Sequence, residues 1–158
     1  MQTRIATFSD ISQISKLLNS LFVQEIEFVP NKEKQENGLK MIIENPTLGH
    51  ILVIEKSNKI IATINLLYTI STALGAKVAI LEDMIVSSKF QKKGIGSKLL
   101  QDAINFAKQQ KCQRITLLTD KNNILAHTFY TKNGFKYSEM IPFRYDMSTL
   151  IHTQNTIL

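Results

Sequence analysis

Gln91-Lys92-Lys93-Gly94-Ile95-Gly96-Ser97 lies where the period of the apolar pattern changes. Before it, residues 77–86 form an extended run. Positions 78, 80, 84 and 86 on one face, and 79, 81 and 85 on the other, are all apolar. A strand apolar on both faces sits inside a sheet covered on both sides. After it, Leu99, Leu100, Ala103, Ile104 and Ala107 recur at helical spacing, and residues 114–119 are extended again. Such a strand–helix–strand unit needs a crossover, which implies a parallel pair.

Outward from this unit the chain continues in the same alternation. Residues 3–7 read as a short strand. Ser9 is placed to cap a helix carrying Ile11, Ile14, Leu17, Leu18, Leu21 and Phe22 on one face. Asn31 is placed to cap a second, with Leu39, Ile42 and Ile43 on its apolar side and Pro46 beyond its end. Extended runs at 51–55 and 60–69 flank a turn at 57–59. Towards the C-terminus, Asn122 or Asn123 opens a helix ending near Gly134, and residues 135–137 and 143–147 read as a hairpin. The order β-α-α-β-β-β-α-β-α-β-β predicts one mixed α/β domain over 1–147. Its sheet is expected to be mostly antiparallel, with six or seven strands and four flanking helices. The tail, 148–158, carries little pattern.

Composition narrows the class. The 158 residues include 19 Lys+Arg against 13 Asp+Glu, a formal net charge of +6, with 44% apolar residues. That is enough apolar material for a one-domain core and too little charge for disorder. A single cysteine, Cys112, excludes an internal disulfide framework and any multi-cysteine metal site. The N-terminus lacks the apolar region of a signal peptide, and no apolar run approaches the roughly 18 residues of a membrane span. A soluble, cytoplasmic protein with no membrane partner is expected. The basic residues are dispersed, without a basic helix or an aromatic-interleaved stripe, so no nucleic-acid partner is expected. Their one concentration is Lys89, Lys92 and Lys93, beside the glycines.

Two glycines between a buried strand and a helix let the backbone approach a ligand closely. The helix start offers unpaired N–H groups and a positive dipole end, and the lysines add charge; together they suit a pyrophosphate. The plainer reading is that Gly94 and Gly96 only turn the chain into the helix. The spacing is neither a P-loop, which needs Gly-Lys-Ser/Thr, nor the dinucleotide fingerprint, since Leu99 stands where the third glycine belongs.

Three segments in order extend the signal: Leu81-Glu82-Asp83-Met84-Ile85-Val86, then Gln91-x-x-Gly94-x-Gly96, then Asn123-x-x-Ala126-x-x-Phe129-Tyr130-x-x-x-Gly134-Phe135. This pattern resembles the GNAT family of acetyl-CoA-dependent N-acetyltransferases, and the likeness spans residues 1 to about 147. The resemblance implies the GNAT acyl-CoA N-acyltransferase fold and acetyl-CoA as cosubstrate. It also implies that backbone amides of Gln91, Lys92, Lys93, Gly94, Ile95, Gly96 and Ser97 wrap the CoA pyrophosphate. The main chain of Met84, Ile85 and Val86 would contact the pantetheine arm, one N–H there holding the thioester carbonyl as an oxyanion donor. Asn123 matches an asparagine that binds the pantetheine region, and Tyr130 matches the tyrosine that protonates the departing thiolate. Gln91 stands where arginine is common. Many relatives are dimers, so a homodimer is implied as well.

The chemistry sets its own demands. An alkyl ammonium with a pKa near 10.4 is only about one part in 2,500 neutral at pH 7, a penalty of about 4–5 kcal/mol. A base must remove that proton, and an acid must meet the thiolate. The Tyr130 hydroxyl lies within about two pKa units of a thiol, so the transfer is nearly thermoneutral. Glu82 and Asp83 compete as the base. Strict alternation sends them to opposite faces among apolar neighbours, where burial would raise a carboxyl pKa. The Leu-Glu-Asp version of this strand resembles that of diamine and other small-amine acetyltransferases, where the Glu faces the acceptor amine, which favours Glu82 over Asp83; a bulge would change the parity. Read without the resemblance, Tyr130 is a core aromatic and Asn123 a helix cap. Cys112 reads as a small buried hydrophobe, and His50, His127 and His152 have no metal-ligand spacing, so no metal is expected. The family's acceptor region maps onto Phe22, Glu25, Glu27 and Phe28 with Arg144 or Tyr145. The sequence thus points to acetyl transfer onto a primary amine of a small molecule. A protein N-terminal or lysine acetyltransferase, or a non-catalytic CoA-binding module, is the alternative.

Overall fold

A computed structural model describes residues 1–23 and 29–147. Glu25, Glu27, Phe28 and the 148–158 tail, all named above, lie outside the described residues. In chain order the elements are β1 (Thr3–Ile5), α1 (Ile11–Phe22), α2 (Lys32–Glu44), β2 (Gly49–Lys56), β3 (Lys59–Ser71), β4 (Ala76–Val86), α3 (Ile95–Gln109), β5 (Ile115–Leu117) and α4 (Ile124–Lys132). Short 3-10 turns at Phe8–Asp10 and Ser88–Phe90 precede α1 and the loop before α3. The strands lie in the order β1-β2-β3-β4-β5, antiparallel except for the parallel β4–β5 pair. This is the mixed α/β architecture expected, with four helices.

Alternation along β2 sorts its side chains between two cores. Ile51 and Val53 pack with Ile14, Leu18 and Leu39 of α1 and α2, whereas Leu52 and Ile54 pack with Leu99, Leu100, Ala103 and Ala107 of α3. Ser57 and Asn58, both at positive φ (50° and 59°), make the tight turn between β2 and β3. Asn31 caps α2 as expected, its side chain accepting from the Lys34 N–H at 3.0 Å. The start of α1 differs. The Asp10 carboxylate accepts from the Thr7 N–H at 2.8 Å and from its hydroxyl at 3.0 Å, while Ser9 lies inside the preceding 3-10 turn. Arg4 of β1 binds this same Asp10 at 2.7 Å and Glu55 of β2 at 2.5 Å.

The sheet has five strands among the described residues, not six or seven. The expected hairpin at 135–137 and 143–147 is not formed. Phe135 packs against the core, but Tyr137, Met140, Phe143, Tyr145 and Met147 are exposed. Charged residues and Pro142 interrupt this stretch, and β5 offers only three residues to pair with. A hairpin without a buried face has little to hold it.

Candidate active site

The site is built on an irregularity in β4. Asn65 of β3 pairs with Glu82 and Thr63 with Ile85, so Asp83 and Met84 together oppose the single residue Ile64. Asp83 sits at φ 52°, a left-handed conformation that aspartate tolerates better than most residues. This is a β-bulge, and it shifts the side-chain phase. Before it, Ala79 and Leu81 face α3; after it, Met84 and Val86 do so while Ile85 turns to the α1–α2 side.

The bulge corrects the expectation for the two carboxylates. Glu82 and Asp83 do not face opposite sides; both line one cavity of about 330 Å³ between β3, β4, α1 and α2. Nor is Glu82 buried among apolar neighbours, for its side chain is exposed, and Asp83 is partly buried. Asn65 Nδ2 donates to Asp83 Oδ2 at 2.7 Å and fixes that carboxylate. Leu18, Phe22, Leu39 and Ile42 form the apolar wall, with Asn31, Lys34 and Gln35 of the α2 start beside them. Phe22 is where the acceptor region was expected. Arg144 and Tyr145 are exposed and do not line this cavity.

Tyr130 lies on the other face of β4. Its hydroxyl is 3.9 Å from Met84 Sδ, and its ring meets Phe129 and Phe135 edge-on at 5.2 and 5.7 Å. The helix that carries it is well bounded. Asn123 accepts from the Ala126 N–H at 3.1 Å. At the other end, Gly134 at φ 92° and Phe135 send their N–H groups back to the Thr131 and Tyr130 carbonyls. Phe129 closes over Gly96, where an added Cβ would meet its ring at 3.6 Å and Val86 at 3.7 Å.

Between the two faces the sheet opens. The parallel pairing of β4 with β5 ends at Leu81–Leu117, yet β4 continues to Val86. Ser87 donates its N–H to Ile61 of β3, so by alternation Ile85 turns its main chain to β3 and Val86 turns its own outward. Gln91 Nε2 reaches that outward Val86 carbonyl at 3.0 Å. The loop then runs through Lys92 and Gly94, both at positive φ (58° and 76°), into α3. Gly94 stands at the N-cap with no side-chain cap, so the first-turn N–H groups of Ile95, Gly96 and Ser97 have no capping oxygen among the described residues. The Ile95 side chain is buried, so only its main chain could meet a ligand. Lys93 folds back to the Lys89 carbonyl at 2.9 Å, and Lys92 is exposed. The fit to a pyrophosphate is good: open amides at the start of a 15-residue helix, with lysines around them.

Asn65, Gln35 and Lys34 were not singled out in the sequence. Asn65 left a trace, since it and Thr63 are the polar residues inside the otherwise apolar run 60–67. The α2 residues left none, because only the packing of α2 against α1 brings them to the cavity.

The described residues include no helix long and apolar enough to cross a membrane, and no group of three or more His, Cys, Asp or Glu able to hold a metal. Among known proteins, the acetyltransferase (GNAT) family matches residues 12–135. An uncharacterized N-acetyltransferase of Bacillus subtilis, YhfO, is 29% identical over 136 residues, covering 86% of this chain and 90% of that protein. Streptothricin acetyltransferase A of the same organism is 40% identical over 57 residues, 36% of this chain and 33% of that one. A solved structure of a possible acetyltransferase from Clostridium difficile superposes with a TM-score of 0.84 at 19% identity, covering 92% and 97% of the two chains.

Proposed function

The chain belongs to the GNAT acetyltransferase family, and from that membership we propose that it acetylates the primary amine of a small molecule by direct attack within a ternary complex. The observation that supports this reading is that two carboxylates and a tyrosine hydroxyl lie on the two faces of β4 about the opening of the sheet. Glu82 and Asp83 line a cavity on one face of β4, and the Tyr130 hydroxyl touches Met84 on the other.

Acetyl-CoA supplies the acetyl group as a thioester with a thiolate to leave. The amides from Gln91 to Ser97 hold its pyrophosphate, and the β4 edge at Val86, which no strand covers among the described residues, receives the pantetheine arm with Asn123 beyond it. A β4 N–H near Met84 or Val86 donates to the thioester carbonyl, where charge builds up. In the cavity Glu82 removes the ammonium proton, directly or through a water, while Asp83, fixed by Asn65, holds the amine in place. Tyr130 donates its proton to the departing sulfur. Cys112 packs half-buried against the α3 core, which supports direct transfer over a protein-bound acetyl. A cavity of about 330 Å³ is at the lower end of small-molecule sites, roughly 300–1,000 Å³, and supports a small acceptor.

The test is CoA release from acetyl-CoA across a panel of small amines and peptides. Turnover of small amines that falls about 100-fold in Tyr130→Phe, with acetyl-CoA affinity kept, supports the reading. Turnover of peptides alone, or none with any acceptor, overturns it.

A further inference from the structure

We infer that the acceptor is a small zwitterion, an amine whose other end carries a carboxylate; this rests on the acetyl-transfer reading above. Two amides line the cavity with opposite unmet needs. Asn65 is 2% exposed, and its Nδ2 is committed to Asp83, so its Oδ1 is left without a donor among the described residues. Gln35 is 8% exposed; its Oε1 accepts from Ser15 Oγ at 3.0 Å, and its Nε2 has no acceptor among the described residues. Buried polar atoms are nearly always paired, so each marks a place where a ligand atom completes the set.

The two needs are segregated. Asn65, whose Oδ1 is the vacant acceptor, lines the β3–β4 wall with Glu82 and Asp83, a setting for an amine and its protons. Gln35, whose Nε2 is the vacant donor, lines the α2 wall together with Lys34, which has no ion-pair partner among the described residues. That wall takes an oxygen acceptor, and the ammonium of Lys34 favours an anionic one. The apolar side chains of Leu18, Phe22 and Leu39 suit the short hydrocarbon between the ends. A diamine would place a second cation against Lys34 and leave Gln35 Nε2 unmet, and a plain alkylamine would leave it in hydrocarbon. A site built to hydrogen-bond a group discriminates strongly against analogues that lack it.

The experiment compares kcat/KM for amines paired by carbon count: α- and ω-amino carboxylates from two to six carbons, the alkylamines, the amino alcohols and the α,ω-diamines. The expected result is at least a 100-fold preference for one amino carboxylate over its alkylamine and diamine partners. That preference should fall tenfold or more in Gln35→Leu and in Lys34→Met. Lys34 is exposed, so the second variant keeps the test valid should the first fail to fold. Equal kcat/KM across the classes, a preference for diamines, amino alcohols as good as amino carboxylates, or a preference untouched by Lys34→Met overturns the zwitterion assignment while leaving acetyl transfer standing. Absence of turnover with every amine overturns the acetyl-transfer reading and this inference with it.

Discussion

Asp83 carries more of the site than its neighbours in sequence suggest. Its left-handed backbone is what brings two adjacent carboxylates to one cavity, an arrangement that regular alternation forbids. Asn and Asp are the side-chain-bearing residues that best tolerate this conformation. Asp83→Asn is therefore expected to keep the fold and the bulge while removing the charge. Its kcat/KM should drop about tenfold or more at unchanged melting temperature. Glu82→Gln should lower kcat about 100-fold while acetyl-CoA affinity is kept; an unchanged kcat would remove Glu82 from the base role. Gly94 is constrained differently. At φ 76° it has open space around its Cα, so Gly94→Ala meets no neighbour but strains the backbone, costing about 1–2 kcal/mol. Chemical denaturation measures that cost, and acetyl-CoA titration measures the displaced amides. The residues of the three motifs were legible in the sequence. Which way they face was not, because a bulge is set by pairing with a partner strand that the local pattern does not contain.

Element ends show the same division. Asn31 and Asn123 cap their helices as their positions predicted, since a cap is a local hydrogen bond. The C-terminus of α3 uses a less expected residue. Lys111, at φ 63°, lies where the Cys112 N–H bonds the Ala107 carbonyl and its own N–H bonds that of Lys108, the position glycine usually takes. Lys111→Gly should thus raise stability by about 0.5–1 kcal/mol, seen as a higher urea midpoint; a fall would show that the lysine makes a compensating contact. The missing hairpin failed as an expectation for a physical reason. Phe135, Tyr137, Phe143, Tyr145 and Met147 look strand-like in sequence, yet a strand is completed by a neighbour, and β5 presents only Ile115–Leu117.

At the scale of the molecule, β1 is pinned to the rest by Arg4 between Asp10 and Glu55. The Arg4 guanidinium, with help from the Thr7 N–H and hydroxyl and against the cost of burial, holds the Asp10 carboxyl down at about 2 from 3.8. A depressed carboxyl favours the folded state above its unfolded pKa, and that benefit fades as pH falls from about 4 through about 2. Asp10→Asn should lower stability at pH 7 by about 1–3 kcal/mol and by much less at pH 2, as read from urea midpoints. An equal loss at both pH values would assign the effect to packing. The layered architecture itself was legible because β2, β3 and β4 carry apolar residues on both faces and the helices carry stripes. The cavity was not, because its walls come from four elements that meet only in the folded chain.

The sheet order has a consequence in time. Spatial order β1-β2-β3-β4-β5 is also chain order, so each strand after the first has its neighbour already synthesised when it leaves the ribosome. The two antiparallel hairpins from β2 to β4 close over short turns, whereas β5 must wait for all of α3 before it can dock. Such a chain can assemble the half that holds the cavity between α1, α2, β3 and β4 first and the half around α3 and β5 last. Pulse-labelled hydrogen exchange during refolding would then find the β2–β4 amides protected before those of β5.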